Sequence, residues 1–163
     1  MRPILFGLSL ILAATFATAQ NMDVPFGGLE HDSSLPVEIS ADSLSIDQED
    51  GSVTFTGNVV VGQGEMRLSA DHMRVEYSTG EDSSGEIHTI FADGNVLLVN
   101  GAEAAEAGRA EYLVAEGIVE LSGGVILTQG RNGLSAEELT INLNTGTAQM
   151  SGRVSTILQT EAN

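Results

Sequence analysis

The side chains that most often carry chemistry are scarce and badly spaced in this sequence. There are three histidines, His31, His72 and His88, and no cysteine. None of the histidines has another His or a Cys at metal-ligand spacing, so no metal site is predicted. Lack of cysteine also removes disulfides, thiol catalysis, iron–sulfur clusters and a lipidated cysteine. Asp47-Gln48-Glu49-Asp50-Gly51 looks like a calcium loop but lacks the alternating acids and the closing Glu, and reads as a solvated acidic turn. Serine is plentiful, yet no Gly-x-Ser-x-Gly elbow occurs. Glu137-Glu138 and Glu49-Asp50 are adjacent, so on a strand they face opposite ways and cannot work as an acid–base pair. Phosphate cradles and basic–aromatic patches are missing too. The expectation is a protein without catalytic residues, metal or cofactor.

Charge narrows the partners. Asp and Glu number 23 against 6 basic residues, all of them Arg, for a formal charge of −17. Such a chain is repelled by nucleic acid and by anionic bilayers. Its 42% hydrophobic content is too high for a disordered acidic tail. The 163 residues suit one domain, and 19 Gly with no Trp suit a turn-rich β protein.

The N-terminus reads as an address. Arg2, an apolar run from Ile4 to Ala14 and the small-x-small triplet Ala17-Thr18-Ala19 predict an export signal over residues 1–19, cleaved after Ala19. The run is short for a bilayer span, and no later segment is apolar enough for one. Export would place the protein in the periplasm. Residues 20–36 mix Pro, Gly, Ser and isolated charges without a period and are expected to form a flexible leader. The folded domain is expected over 37–159, with a tail at 160–163.

The elements repeat. SADSLSID, SADHMRVEY, EAGRAEYLV and SAEELTINL align on Ala41, Ala70, Ala107 and Ala136, at steps of 29, 37 and 29 residues. A glycine follows each anchor by ten residues (Gly51, Gly80, Gly117, Gly146), and a second starts Gly57-Asn58-Val59, Gly94-Asn95-Val96, Gly123-Gly124-Val125 and Gly152-Arg153-Val154. Gly94 is eight residues late, which one insertion near 81–86 explains. Four repeats of about 29 residues predict stacked supersecondary units. Within each unit, apolar residues alternate with polar ones, the period of a half-buried strand. The Gly-Asn pairs suggest hairpins, but parity opposes that. Val53, Phe55, Val59 and Val61 are all odd-numbered, and a two-residue turn would set the apolar faces against each other. The strand is expected to run through and bend at the glycine. Four units give about eight bent strands, or some 16 short antiparallel segments, in an all-β fold. The apolar faces can pack shut as a sandwich or line a channel.

Residues VEISADSLSIDQEDGSVTFTGNVVVGQGEMRLSADHMRVEY (37–77) resemble the opening of the OstA-like family. The matching positions are Ile39, Ala41-Asp42, Phe55, Gly57-Asn58-Val59, Val61 and Ala70-Asp71; AGRAEYLVAEGIVELSGGVILTQG (107–130) resembles a later repeat. The resemblance implies a twisted, V-shaped open β-jelly-roll whose interior carries lipopolysaccharide acyl chains. The lining would be Ile39, Leu44, Ile46, Val53, Phe55, Val59, Val61, Leu68, Met73, Val75, Val96, Leu98, Val119, Leu121, Val125, Leu127, Leu139 and Ile141. It also implies edge-to-edge assembly, head to tail with copies of itself and with LptC-like inner-membrane and LptD-like outer-membrane partners. Val37 and Ile39 would form the N-terminal partner edge, and Val154, Thr156, Ile157 and Leu158 the C-terminal one. One departure stands out: with no Lys, the rim offers only five Arg to lipid phosphates. The competing reading is an exported structural or adhesive β-repeat protein with a closed core.

Overall fold

The computed structural model describes residues 22–26, 31–79 and 85–157. The expected signal peptide, the tail and Leu158 lie outside the described residues. Among these residues the chain forms eleven strands. They are β1 (Met22–Pro25), β2 (Glu38–Ser40), β3 (Ser43–Ile46), β4 (Val53–Gln63), β5 (Met66–Tyr77), β6 (Ile87–Asn100), β7 (Glu103–Leu113), β8 (Ile118–Gln129), β9 (Asn132–Asn142), β10 (Thr147–Ser151) and β11 (Ser155–Ile157). All pair antiparallel, in the order β1-β10-β9-β8-β7-β6-β5-β4-β2, with β3 also on β4 and β11 also on β9. The fold class is the one expected, an all-β open jelly-roll. It is built of eleven strands, of which β4 to β9 run through their bends as expected.

Each bend is a break in register, at Thr56/Val59 between β4 and β5, Ser69/His72 between β5 and β6, and Asp93/Val96 between β6 and β7. The same break recurs at Glu106/Arg109 and Ser122/Val125. These bulges divide the sheet into two leaves. One holds β3, the halves of β4–β9 that contain Phe55, Met73, Ala92, Ala110, Leu121 and Leu139, then β10 and β1. The other holds β2, the halves that contain Val61, Leu68, Leu98, Ala105, Leu127 and Leu134, then β11. Bulges of this kind bend and twist a strand while keeping its pairing.

The corner explains the recurrent Ala-Asp and Gly-Asn pairs. Gly57 and Asn58 both take positive φ, +81° and +46°, inside β4. The Asn58 Nδ2 donates to Asp42 Oδ2 at 2.8 Å, and Asp42 N donates to Gly57 O at 2.9 Å. Asn95 Nδ2 donates to Asp71 Oδ2 in the same way, at 2.8 Å. At the last corner the acid is Glu137, which pairs with Arg153 Nε at 3.3 Å. A carboxylate on one strand thus clasps the bulge on the next.

One element departs from expectation. The segment read as a flexible leader contains β1, which pairs with β10 in register from Met22↔Met150 to Pro25↔Thr147. Phe26 follows with its N–H on Gly146 O at 2.9 Å, and its ring is buried in the core. The alternation of Met22, Val24 and Phe26 is the strand signal, interrupted in sequence by Pro25.

The clasp should be measurable. A Cβ on Gly57 would stand 2.5 Å from Asp42 Oδ2, at a φ of +81°. At Gly51, φ is +73° with nothing within 4 Å. Gly57→Ala is expected to destabilise by about 2–3 kcal/mol, from backbone strain plus a broken clasp, against about 1 kcal/mol for Gly51→Ala. Urea unfolding of the two variants checks the difference.

Candidate functional site

The inner faces of the two leaves meet in one apolar cluster. Val59, Val61, Leu68, Val75, Leu98, Val119, Leu127 and Ile141 are fully buried, and Met73, Val96, Leu121, Val125 and Leu139 nearly so. Val53 is buried as well, while Phe55 and Ile39 are half-buried at the β2/β3 side. In β4, β6 and β8 the inward residues keep one parity through the corner (Phe55/Val59, Ala92/Val96, Leu121/Val125), and in β5, β7 and β9 the inward parity switches there (Leu68/Met73, Ala105/Ala110, Leu134/Leu139), so the apolar face stays inward on both leaves. The inner row also holds residues outside the expected lining set: Met66, Ile90, Leu143, Ala148 and Met150.

Leu44 and Ile46 are the exceptions among the expected lining residues. Both share the inner parity of β3, yet they are 54% and 64% exposed. The reason is topological. Among the described residues β3 is an edge strand, bonded to β4 on one side with no further strand to cover its inner face. Leu44 sits opposite Phe55 and Ile46 opposite Val53, so the apolar floor of the interior runs out to this edge and is open there. At the other end, Ile157 of β11 is 70% exposed and Val154 half-buried. Thr156 is paired with Leu134 on β9. Val37 is half-buried just ahead of β2.

The ends of the strands far from the corner carry polar side chains that cross between leaves. Tyr112 of the first leaf is fully buried, and its hydroxyl donates to Gln63 Oε1 of the second. That proton being committed, the His31 ring, 3.2 Å from the same oxygen, is the donor through Nε2–H. Gln63 Nε2 in turn donates to the backbone carbonyls of Ser33 and Leu35, both at 2.9 Å. At the β8 tip, Gln129 Nε2 reaches the carbonyl of Pro25. The N-terminal segment is therefore tied to the strand tips of the second leaf as well as to β10. Burial pushes the Tyr112 phenol up to about 12, so it stays a neutral donor. Burial also pushes the His31 imidazole below its usual pKa, partly opposed by the Gln63 hydrogen bond and the Asp32 carboxylate.

Nothing in this interior resembles an acid–base or nucleophilic constellation. Among the described residues no cluster of His, Asp or Glu is placed to hold a metal ion, and no helix is long and apolar enough to cross a membrane. What the site offers is apolar surface bounded by strand edges.

Comparison with known proteins gives a consistent picture. Residues 38–147 match the family described as LptA/(LptD N-terminal domain) LPS transport protein. The chain is 33% identical over 149 residues to an uncharacterized protein of Rhizobium meliloti, covering 88% of this chain and 80% of that one. It is 30% identical over 140 residues to the lipopolysaccharide export system protein LptA of Escherichia coli, covering 82% and 72%. The solved structure of LptH, the LptA-homologous periplasmic component of the lipopolysaccharide transport device of Pseudomonas aeruginosa, superposes with a TM-score of 0.69. It covers 80% of this chain and 99% of LptH at 17% identity, and so supports the fold.

The half-buried His31 gives the docked segment a pH dependence of definite sign. His31 has a pKa below 6.5 when docked, so the undocked segment takes up a proton first as pH falls. Docking is at full strength above that ordinary value and weakens as pH falls through it. Amide hydrogen exchange of residues 31–35, corrected for intrinsic rates, is expected to be faster at about pH 5.5 than at about pH 7.5. His31→Gln is expected to flatten that difference.

Proposed function

The chain belongs to the family of LptA and LptD N-terminal-domain lipopolysaccharide transport proteins, and from that premise we propose that it carries lipopolysaccharide across the periplasm. The acyl chains ride between the leaves, and the protein passes them from an LptC-like partner at the inner membrane to an LptD-like partner at the outer membrane. Exposing a chain of roughly a dozen carbons to water costs on the order of 10 kcal/mol, at about 0.8 kcal/mol per CH₂. A dry path along a row of aliphatic side chains removes that cost, and no catalytic group is needed.

The observation that carries this reading is the open apolar edge at β3. Leu44 and Ile46 continue the inner face past the last covered strand, and among the described residues the β3 backbone has no strand partner besides β4. A strand added there covers both side chains and extends the interior into the next domain. At the far end the first leaf finishes in β1 and the second in β11, paired to β9 on one side. Two different edges joined head to tail propagate a bridge instead of closing a dimer. The closed-core reading draws on the near-complete burial of the inner face. It differs in predicting no lipid at all.

Photo-crosslinking probes at Phe55, Val75 and Leu121 are expected to label lipopolysaccharide in the protein recovered from its own envelope, while probes on the outward Thr54 and Glu120 do not. Labelling by the outward probes alone sinks the carrier reading. Assembly has its own test. Prolines at Ser155 and Thr156 each remove one N–H, and because alternate residues of β11 face β9 and the free edge, the two should differ. One loosens β11; the other is expected to leave thermal stability unchanged and to stop the growth of light scattering with concentration. If neither proline changes association, bridging through this edge is wrong.

A further inference from the structure

The tip of the second leaf is lined on its inner side by amides. Gln63, Asn100 and Gln129 each stand one step beyond the apolar floor, after Val61, Leu98 and Leu127. The registers Gln63↔Met66, Arg67↔Val99, Asn100↔Glu103 and Glu103↔Gln129 set them in one cross-strand row, a donor on alternate strands. With strands about 4.8 Å apart, the donors recur about every 10 Å.

Two of the three already hold carbonyl oxygens. Gln63 donates to those of Ser33 and Leu35, and Gln129 to that of Pro25. Asn100 lies between them on the row, 3% exposed, and its Nδ2 is buried without a hydrogen-bond partner. A buried amide donor left unmade costs about 1–3 kcal/mol, so this group is poised to gain on meeting an acceptor.

Resting on the carrier reading above, we infer that Gln63, Asn100 and Gln129 form a carbonyl-reading rim that binds the ester and amide carbonyls where acyl chains join their head group. In a lipid that carbonyl is the first polar atom beyond the hydrocarbon, as these amides are the first polar groups beyond the apolar floor. Neutral amide donors suit neutral oxygens. The Glu103 carboxylate within the row and the net charge of −17 disfavour phosphate at the same place. The N-terminal segment, through its own backbone carbonyls, occupies Gln63 and Gln129 and gives way to the lipid.

The test compares a short-chain diacyl glycerophosphocholine with its dialkyl ether analogue of equal chain length, which lacks the carbonyls. Isothermal titration below the micelle concentration is expected to show the unmutated protein binding the ester lipid about tenfold more tightly, as expected for one or two added neutral hydrogen bonds. Asn100→Leu is expected to abolish most of that difference while leaving affinity for the ether unchanged. The infrared carbonyl band of bound ¹³C-labelled ester lipid should shift to lower frequency in the unmutated protein and less so in the variant. Equal affinity for ester and ether with no band shift overturns the rim while leaving the carrier intact. Binding of neither lipid overturns the carrier and the rim together.

Discussion

The structure depends on one constraint, that a bent strand must keep the same face inward on both sides of its corner. A bulge with two residues at positive φ inserts the bend without changing the parity of the side chains, so Phe55 and Val59 face the same interior. The Asp42–Asn58 and Asp71–Asn95 hydrogen bonds hold the geometry between neighbouring strands. Without it, each corner would turn half of the apolar residues into solvent. The corner is therefore what makes two leaves out of one meander and an enclosed row of aliphatic side chains out of an alternating sequence.

That constraint was legible because it is local and periodic. Odd-numbered apolar residues on both sides of Gly57 were enough to reject a hairpin, and the alternation within each strand segment marks most of the buried inner face. Three features were not local. β1 was missed because four residues with a proline show no usable period, and the strand exists only through its pairing with β10. The exposure of Leu44 and Ile46 depends on which strand lies at the edge, a property of the topology and not of their own alternation. The row of Gln63, Asn100 and Gln129 was passed over because polar residues beside Gly at strand ends read as turns. Their burial arises from the opposing leaf and the N-terminal segment.

Charge works on the outer surface in a complementary way. Arg74 pairs with Glu76 at 2.5 Å, Arg109 with Asp93 at 3.3 Å and Arg153 with Glu137 at 3.3 Å, all on exposed side chains. Such pairs add little stability. They do use three of the few cations on bonds within the molecule, leaving an acidic exterior. Like charges then disfavour face-to-face association between copies, while a strand edge, whose attraction comes from backbone hydrogen bonds, is much less affected. An acidic surface with an apolar edge steers association toward that edge.

The near-complete burial of the inner face sets the energetics of any cargo. Aliphatic side chains that already shield one another gain little from solvent exclusion when a hydrocarbon chain takes the place of the opposing leaf; one apolar contact is exchanged for another of similar size. The gain belongs to the cargo, whose methylenes leave water, and against it stands the cost of parting the strand tips, where Tyr112–Gln63 and Gln129–Pro25 cross. The clasped corners can act as the hinge, since the bonds that hold them lie at the closed end of the leaves. On the proposed reading, a carrier built this way would bind through the cargo's own hydrophobicity and hold it with a modest surplus, and a modest surplus would let an adjoining domain with the same interior take the cargo onward without an energy source at every joint.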